Sequence, residues 1–347
     1  MNLDGTLLGF AALLGAGALV ALWTAWFGGR VRRWALRENL LDVPNERSGH
    51  TTAIPRVGGL SIVLTVIVGI LGLGLLIPME TPWFWILYVS GTLIIGAGLI
   101  DDLAHLSART RLLIHILAAL VIVLWIGSEL TIVFPQAANV TGPVAFAGVL
   151  IFVVWNVNAY NFMDGIDGLA AAQAVVVGLV AGGIAWFNGN LPLAFTWVLV
   201  GAASAGFLRW NWMPAKIFMG DLCSGFLGIT FAVLALWGKL TETVPTTAFL
   251  ILMAVFYTDP ALTVLTRLIR RKNIFEAHRD FAFHHAVRKG HSHGKVTSAI
   301  LLIEVLYLAP LAITATRLAS TWSLVTLAAA YLPTIGLALY WKAGRDL

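Results

Sequence analysis

Charge is what this chain has least of. Asp, Glu, Lys and Arg make up 11% of its 347 residues, against about 25% in soluble globular domains. With 59% hydrophobic residues and a mean hydropathy of +0.87, a soluble fold is excluded. Cysteine is nearly absent too: Cys223 stands alone, which rules out an internal disulfide framework. No internal repeat is visible, and this counts against transporters built from inverted repeats. No basic segment precedes the first apolar run, where Asp4 is the flanking charge and arginines follow. That run reads as an anchor and not as a cleaved signal peptide.

What the chain does have is apolar runs, each close to the length that crosses a ~30 Å hydrocarbon core as a helix. Eleven spans are predicted, at 5–27, 57–78, 83–100, 112–127, 143–160, 169–187, 192–208, 222–237, 246–266, 297–316 and 320–340. Asp259 and Pro260 fall inside the ninth, where proline removes a backbone donor, so a kink is expected there. The expected fold is an all-α polytopic integral membrane protein, one transmembrane domain over residues 1–347. Orientation follows from the basic residues. With the N-terminus out and the C-terminus in, 20 of 22 Lys and Arg fall in the cytoplasmic loops 28–56, 101–111, 161–168, 209–221 and 267–296 and in the tail; Lys239 and Arg317 are the exceptions. The net charge of +5 is therefore read as topology and not as a nucleic-acid footprint.

Acids gather on the same side. Asp101, Asp102, Asp164, Asp167 and Asp221 all lie at predicted cytoplasmic span ends, which looks like an assembled site. In GLIDDLAHLSARTRLL (98–113) the adjacent acids crowd two negative charges, so one pKa rises unless a cation neutralises them. Arg109 and Arg111 follow on the same loop. In NAYNFMDGIDGL (158–169), Asn158, Asn161, Asp164 and Asp167 recur every third residue, one face of a helix end. Such hard oxygen ligands suit Mg²⁺ shared with substrate phosphates, with Mn²⁺ as the alternative. In KIFMGDLCSGFLG (216–228), Asp221 sits at a helix N-terminus, where its charge is favoured. The linker 267–295 holds eight cations and five histidines in no tetrahedral zinc spacing, so it suits a phosphate-rich ligand or anionic lipid better. Arg47, His50 and Arg56 can reach the same face from LDVPNERSGHTTAIPRVGG (41–59).

Taken in order, DVPNERSGH with PRVGG, GLIDD, NAYNFMDGIDGLA, FMGDLCSGFLG and the His-rich loop resemble one family across residues 42–295. It is the polyprenyl-phosphate N-acetylhexosamine-1-phosphate transferases, the superfamily of the phospho-MurNAc-pentapeptide translocase and of the enzymes that prime O-antigen synthesis. The resemblance implies about eleven spans and a site on the cytoplasmic face of the bacterial inner membrane. It also implies that a UDP-N-acetylhexosamine gives its sugar-1-phosphate to undecaprenyl phosphate and releases UMP. Asp221 and Asn161 would bind the metal, and Asp101 and Asp102 would handle the lipid phosphate. Asn158, Asp164 and Asp167 would line the donor pocket. Arg47, His50, Arg111, Arg279 and His284 or His285 would contact phosphates or sugar.

Two departures narrow this. Where the family often has a third acid in a DDxxD pattern, this chain has His105. The last loop, HRDFAFHHAVRKGHSHGK, lacks the triple histidine of the peptidoglycan branch. It looks more like the branch priming O-antigen with 6-deoxy sugars such as N-acetylfucosamine or N-acetylquinovosamine. The rival functions are a secondary transporter coupled through Asp259 and Glu304, and a lipid-diphosphate phosphatase with water as acceptor. A homodimer is the assembly left open beside the monomer.

Overall fold

In a computed structural model that describes residues 3–44, 52–76, 81–104, 106–127, 141–276 and 278–345, the chain is a helical bundle. After α1 (Leu3–Arg37), two-residue strands β1 (Leu41–Asp42) and β2 (Ile54–Pro55) pair antiparallel, Leu41 opposite Pro55. Then follow α2 (Leu60–Leu76), α3 (Thr81–Ala104), α4 (Ala108–Ile126), α5 (Gly142–Met163), α6 (Leu169–Phe187), α7 (Leu191–Asn211) and α8 (Asp221–Leu240). The last part holds α9 (Thr246–Leu252), α10 (Ala254–Ile269), the short α11 (Ala282–Arg288) and α12 (His293–Ile303). A π-turn at Glu304–Leu308 joins α12 to α13 (Ala309–Ala315), and α14 (Ser323–Tyr340) ends the bundle. Among the described residues nine helices are long and apolar enough to cross a membrane, α9 with α10 makes a bent tenth candidate, and α2 is shorter at 17 residues.

The first helix runs ten residues past the end expected for it at 27. Its inner face explains this: Thr24, Gly28, Val31 and Ala35 are buried at helical spacing, so the packed stripe continues while the arginines turn outward. The break in the ninth span is also displaced. It comes at Met253, where α9 and α10 meet at 70°, and not at Pro260, which sits inside α10. The carbonyls at the end of α9 are answered by side chains from other helices: Gln173 Nε2 donates to Leu252 O (2.8 Å) and Tyr331 Oη to Leu250 O (3.1 Å). The kink is therefore held by tertiary hydrogen bonds.

At the centre stands α8, buried at every residue from Leu222 to Gly238. A helix apolar all round belongs inside. Around it pack α3 and α5, and α6 lies against α7. On the outer helices large apolar side chains face outward, Leu8 at 73%, Leu19 at 69% and Ile151 at 67% exposed; apolar area on that scale marks a lipid contact. Alternating helix direction brings the ends carrying Asp101, Arg111, Asn161, Asp221, Arg267 and His293 to one end of the bundle. The C-terminal end of α1 joins them, where Arg32 Nε donates to Lys216 O (3.1 Å).

Candidate active site

One guanidinium organises the acids. Arg111 Nη1, on the first turn of α4, donates both to Asp101 Oδ2 (2.9 Å) and to Asp221 Oδ2 (3.0 Å). Asp101 is the buried partner, its side chain 7% exposed, whereas Arg111 and Asp221 stay open at 34% and 37%. Asp101 also accepts the Leu106 N–H at 2.6 Å, which closes the turn between α3 and α4. The cation that the crowded acids demanded is thus on their own loop.

Asp102 does something different. Its two oxygens accept the backbone N–H groups of Asp221 (3.1 Å) and Leu222 (3.2 Å), so it caps α8 from another helix. Two of the orphan donors of the α8 N-terminus are thereby satisfied. This close approach needs Gly98: a Cβ there would stand 2.3 Å from Leu222 Cα. Asp102 acts on Asp221 by position, each of its oxygens holding one amide of the α8 N-terminus.

From the end of α5, Asn161 Nδ2 donates to Asp221 Oδ1 (2.8 Å) and to Ser224 Oγ (2.9 Å). The structure therefore brings together the two residues expected to hold a metal, 60 positions apart in the chain. Asn158 lies one turn back, its Nδ2 donating to Val154 O (2.7 Å). Asp164 and Asp167 diverge. Asp167 is a strut: Oδ2 accepts the Ala215 N–H (2.9 Å), Oδ1 lies 3.2 Å from His293 Nδ1, and its carbonyl accepts Thr297 Oγ1 (2.9 Å). Asp164, half-buried, has no side-chain partner among the described residues. Burial, then the charges of Asp221, Asp102 and Asp167, push its carboxyl up to about 8.

That shift has a sign. A carboxyl protonated up to about pH 8 in the fold, but only to about pH 4 in the unfolded chain, makes stability fall as pH rises between those values. The part of the unfolding temperature that Asp164 contributes in the metal-free protein is expected to fall from about pH 5 to 8. Asp164→Asn is therefore expected to gain unfolding temperature relative to wild type as pH rises over that window, and a difference that does not change with pH contradicts the assignment.

The last loop reaches the site through two anchors. Asp259 on α10 accepts the N–H groups of Ala282 (2.8 Å) and Phe283 (3.2 Å), capping α11. Arg267 pairs with Asp280 in the interior and donates through Nη2 to Asn273 O (2.7 Å). Asp280→Ala leaves Arg267 buried without its partner and is expected to cost about 3–5 kcal/mol, read as a lowered unfolding temperature; a change under ~1 kcal/mol would show that the pair is dispensable.

So held, α11 leans on Gly165: a Cβ there would stand 2.7 Å from the Phe283 ring and 3.1 Å from His284 Nε2. His284 is held down at about 3 by burial and by Arg279 and Arg288, so it meets a ligand as a neutral ring. Arg279 is half-buried, its pKa lowered by burial and by Arg288. His285 departs from expectation, since it is fully buried with both ring nitrogens unpartnered and faces the interior. Arg47, His50 and His105 lie outside the described residues. Ser224 carried no expectation, and His293 was expected only as one of the five linker histidines facing a phosphate-rich ligand. The first sits one helical turn after Asp221, a spacing visible in DLCSG. For the second, the sequence shows the loop but not its partner Asp167, 126 residues away.

A groove of about 760 Å³ leads away from Arg111, Asn158 and Asn161 between α4, α5 and α10, along Leu112, Ile116 and Ile151. One end is polar and the rest apolar. No three His, Cys, Asp or Glu side chains cluster to hold a metal unaided among the described residues.

The comparisons with known proteins agree on a class. A profile described as glycosyl transferase family 4 matches residues 84–239. A Bacillus subtilis protein named "Probable undecaprenyl-phosphate N-acetylglucosaminyl 1-phosphate transferase" is 32% identical over 285 residues, 80% of this chain and 78% of that one. A decaprenyl-phosphate N-acetylglucosaminephosphotransferase of Mycobacterium tuberculosis is 32% identical over 327 residues, 82% of this chain and 78% of its own. An undecaprenyl-phosphate alpha-N-acetylglucosaminyl 1-phosphate transferase of Thermotoga maritima is 31% identical over 274 residues, covering 78% and 80%. The chain belongs to the polyprenyl-phosphate N-acetylhexosamine-1-phosphate transferase superfamily and is a membrane-embedded phosphoglycosyltransferase.

Proposed function

We propose that the protein moves N-acetylhexosamine-1-phosphate from a UDP-linked donor to undecaprenyl phosphate at the cytoplasmic face of a bacterial inner membrane, with the N-terminus out and the C-terminus in. The observation that carries this is the Arg111 bridge between Asp101 and Asp221 at the polar end of an apolar groove. With a metal on Asp221 adding its charge to that of Arg111, this end can receive a phosphate, and the groove has room for a prenyl tail.

Mg²⁺ fits the donor set. Asp221 is open, its neighbour Asn161 offers an amide oxygen, and Mg²⁺ needs only one or two carboxylates when it shares substrate phosphates. When bound, it would neutralise the diphosphate and the departing UMP. In the transfer, an oxygen of the lipid phosphate attacks the sugar-bearing phosphorus. The bond to the bridging oxygen breaks, and UMP leaves with that oxygen and its electron pair. The acceptor, with a second pKa near ~6, is already mostly dianionic at neutral pH, so what the chain must do is hold two anions together. Arg111 and Arg279 offer charge for this, and neutral His284 offers a hydrogen bond. Asp101 and Asp102 are both engaged by backbone or Arg111 donors, which favours direct attack over an aspartyl-phosphate intermediate.

The relatives' names favour N-acetylglucosamine as the sugar, while the last loop favours a 6-deoxy sugar. Purified protein given undecaprenyl phosphate, Mg²⁺ and a panel of UDP-N-acetylglucosamine, UDP-N-acetylfucosamine and UDP-N-acetylquinovosamine is expected to release UMP with at least one. Release of UMP with none of them overturns the proposal.

A further inference from the structure

Behind α11, away from the acids, lies a second cavity of about 330 Å³ between α10, α11, α12 and α14, at the low end of ligand-sized pockets (roughly 300–1,000 Å³). None of Asp101, Asp164, Asp221 or Arg111 lines it. Its inner wall is Val255, Ile300, Ile303 and Leu337. The polar groups it does contain are already satisfied. Thr258 and Thr334 hydroxyls bond each other at 3.0 Å, and the Asp259 carboxylate is taken by the amides of α11. A nucleotide or sugar would find nothing to bond inside.

The mouth is different. Lys295 and His291 stand there exposed, His291 edge-on to Trp341 at 5.4 Å, and Lys289 Nζ lies 5.4 Å from the Trp341 ring centre. Among the described residues no acid pairs with Lys289 or Lys295. Leu302 (58% exposed) on α12 and Leu306 (70%) in the π-turn, with Leu339 (53%) and Tyr340 (72%) on α14, face outward close in the chain to the lining residues Ile303, Leu337 and Trp341, so the slot opens toward lipid.

We propose that this slot, apolar within and cationic at its Lys295–Trp341 mouth, binds one chain of an anionic glycerophospholipid with its phosphate at Lys295. Charge complementarity selects the head group, since a cation next to a membrane surface attracts anionic lipid, and the dry interior selects a hydrocarbon tail. The slot wall is Ala282, Phe283 and Ala286 of the helix whose other side presents His284 to Gly165, so a seated chain backs α11 against the catalytic end. The inference stands apart from the transferase reading, because its test reads binding and not turnover.

The full-length protein is reconstituted in phosphatidylcholine nanodiscs with or without phosphatidylglycerol, extracted, and weighed by native mass spectrometry. Wild type is expected to keep one phosphatidylglycerol. Ala299→Trp, which fills the slot from an exposed position on α12, and Lys295→Glu are each expected to weaken retention about tenfold or more, with unfolding temperatures near wild type. Should Ala299→Trp fail to fold, the exposed Lys295→Glu carries the test alone. Retention by Lys295→Glu equal to wild type overturns the proposal. So does displacement of phosphatidylglycerol by equimolar undecaprenyl phosphate, which would assign the slot to the acceptor tail.

Discussion

Asp221→Asn is expected to lower turnover about 10²–10³-fold, the loss typical of removing one preorganised charged group from a transition state. The carboxylate accepts from Asn161 on one oxygen and from Arg111 on the other. An amide of the same shape can accept on only one of them, and its NH₂ must face a donor. Arg111 then loses half of its bridge and the proposed metal its anionic ligand. Folding should survive, since Asp221 begins a helix whose buried face lies entirely beyond it. The check is turnover beside unfolding temperature. Wild-type activity in a folded Asp221→Asn protein refutes the role given to this carboxylate.

Gly98→Ala is the second large effect, and it acts at a distance from any substrate. A methyl there would meet Leu222 Cα at 2.3 Å and Leu222 N at 2.5 Å, and backbone cannot swing aside as a side-chain tip can. The α3 and α8 helices must separate, and the bond lost first is the one from Leu222 N–H to Asp102. Overpacking of this kind costs about 1–3 kcal/mol. A displacement near 1 Å at the catalytic end can cost about 10²-fold in rate. Gly96→Ala is the control, because a Cβ there meets nothing within 4 Å. Equal behaviour of the two variants would show that the α3–α8 approach does not set the site.

How far the sequence could be read depended on distance along the chain. Membrane class, the order of the helices and the gathering of Asp101, Asp164 and Asp221 at one end follow from hydropathy and from the alternation of helix direction, both local properties. The pairing of Asn161 with Asp221 was reachable only through family resemblance, since the partners are 60 residues apart. Asp102 as a cap on α8 was not legible at all. It spans 119 residues to an amide, and a backbone donor leaves no mark in a sequence. The same holds for Asp167, whose partners are an amide at Ala215 and a ring at His293. The break at Met253 was misplaced to Pro260 because proline is visible, whereas the Gln173 and Tyr331 side chains that hold the break come from other helices. His284 and His285 are adjacent in sequence, yet helical geometry turns one toward Gly165 and buries the other.

The most direct test follows one phosphorus atom. UDP-N-acetylhexosamine labelled in the sugar-bearing phosphate is incubated with the purified protein, undecaprenyl phosphate and Mg²⁺, and the label is traced against UMP. Transfer to the lipid predicts one labelled phosphate in a lipid-linked diphosphate for each UMP released. Label recovered as free phosphate or as water-soluble sugar phosphate, with no labelled lipid, would contradict the account.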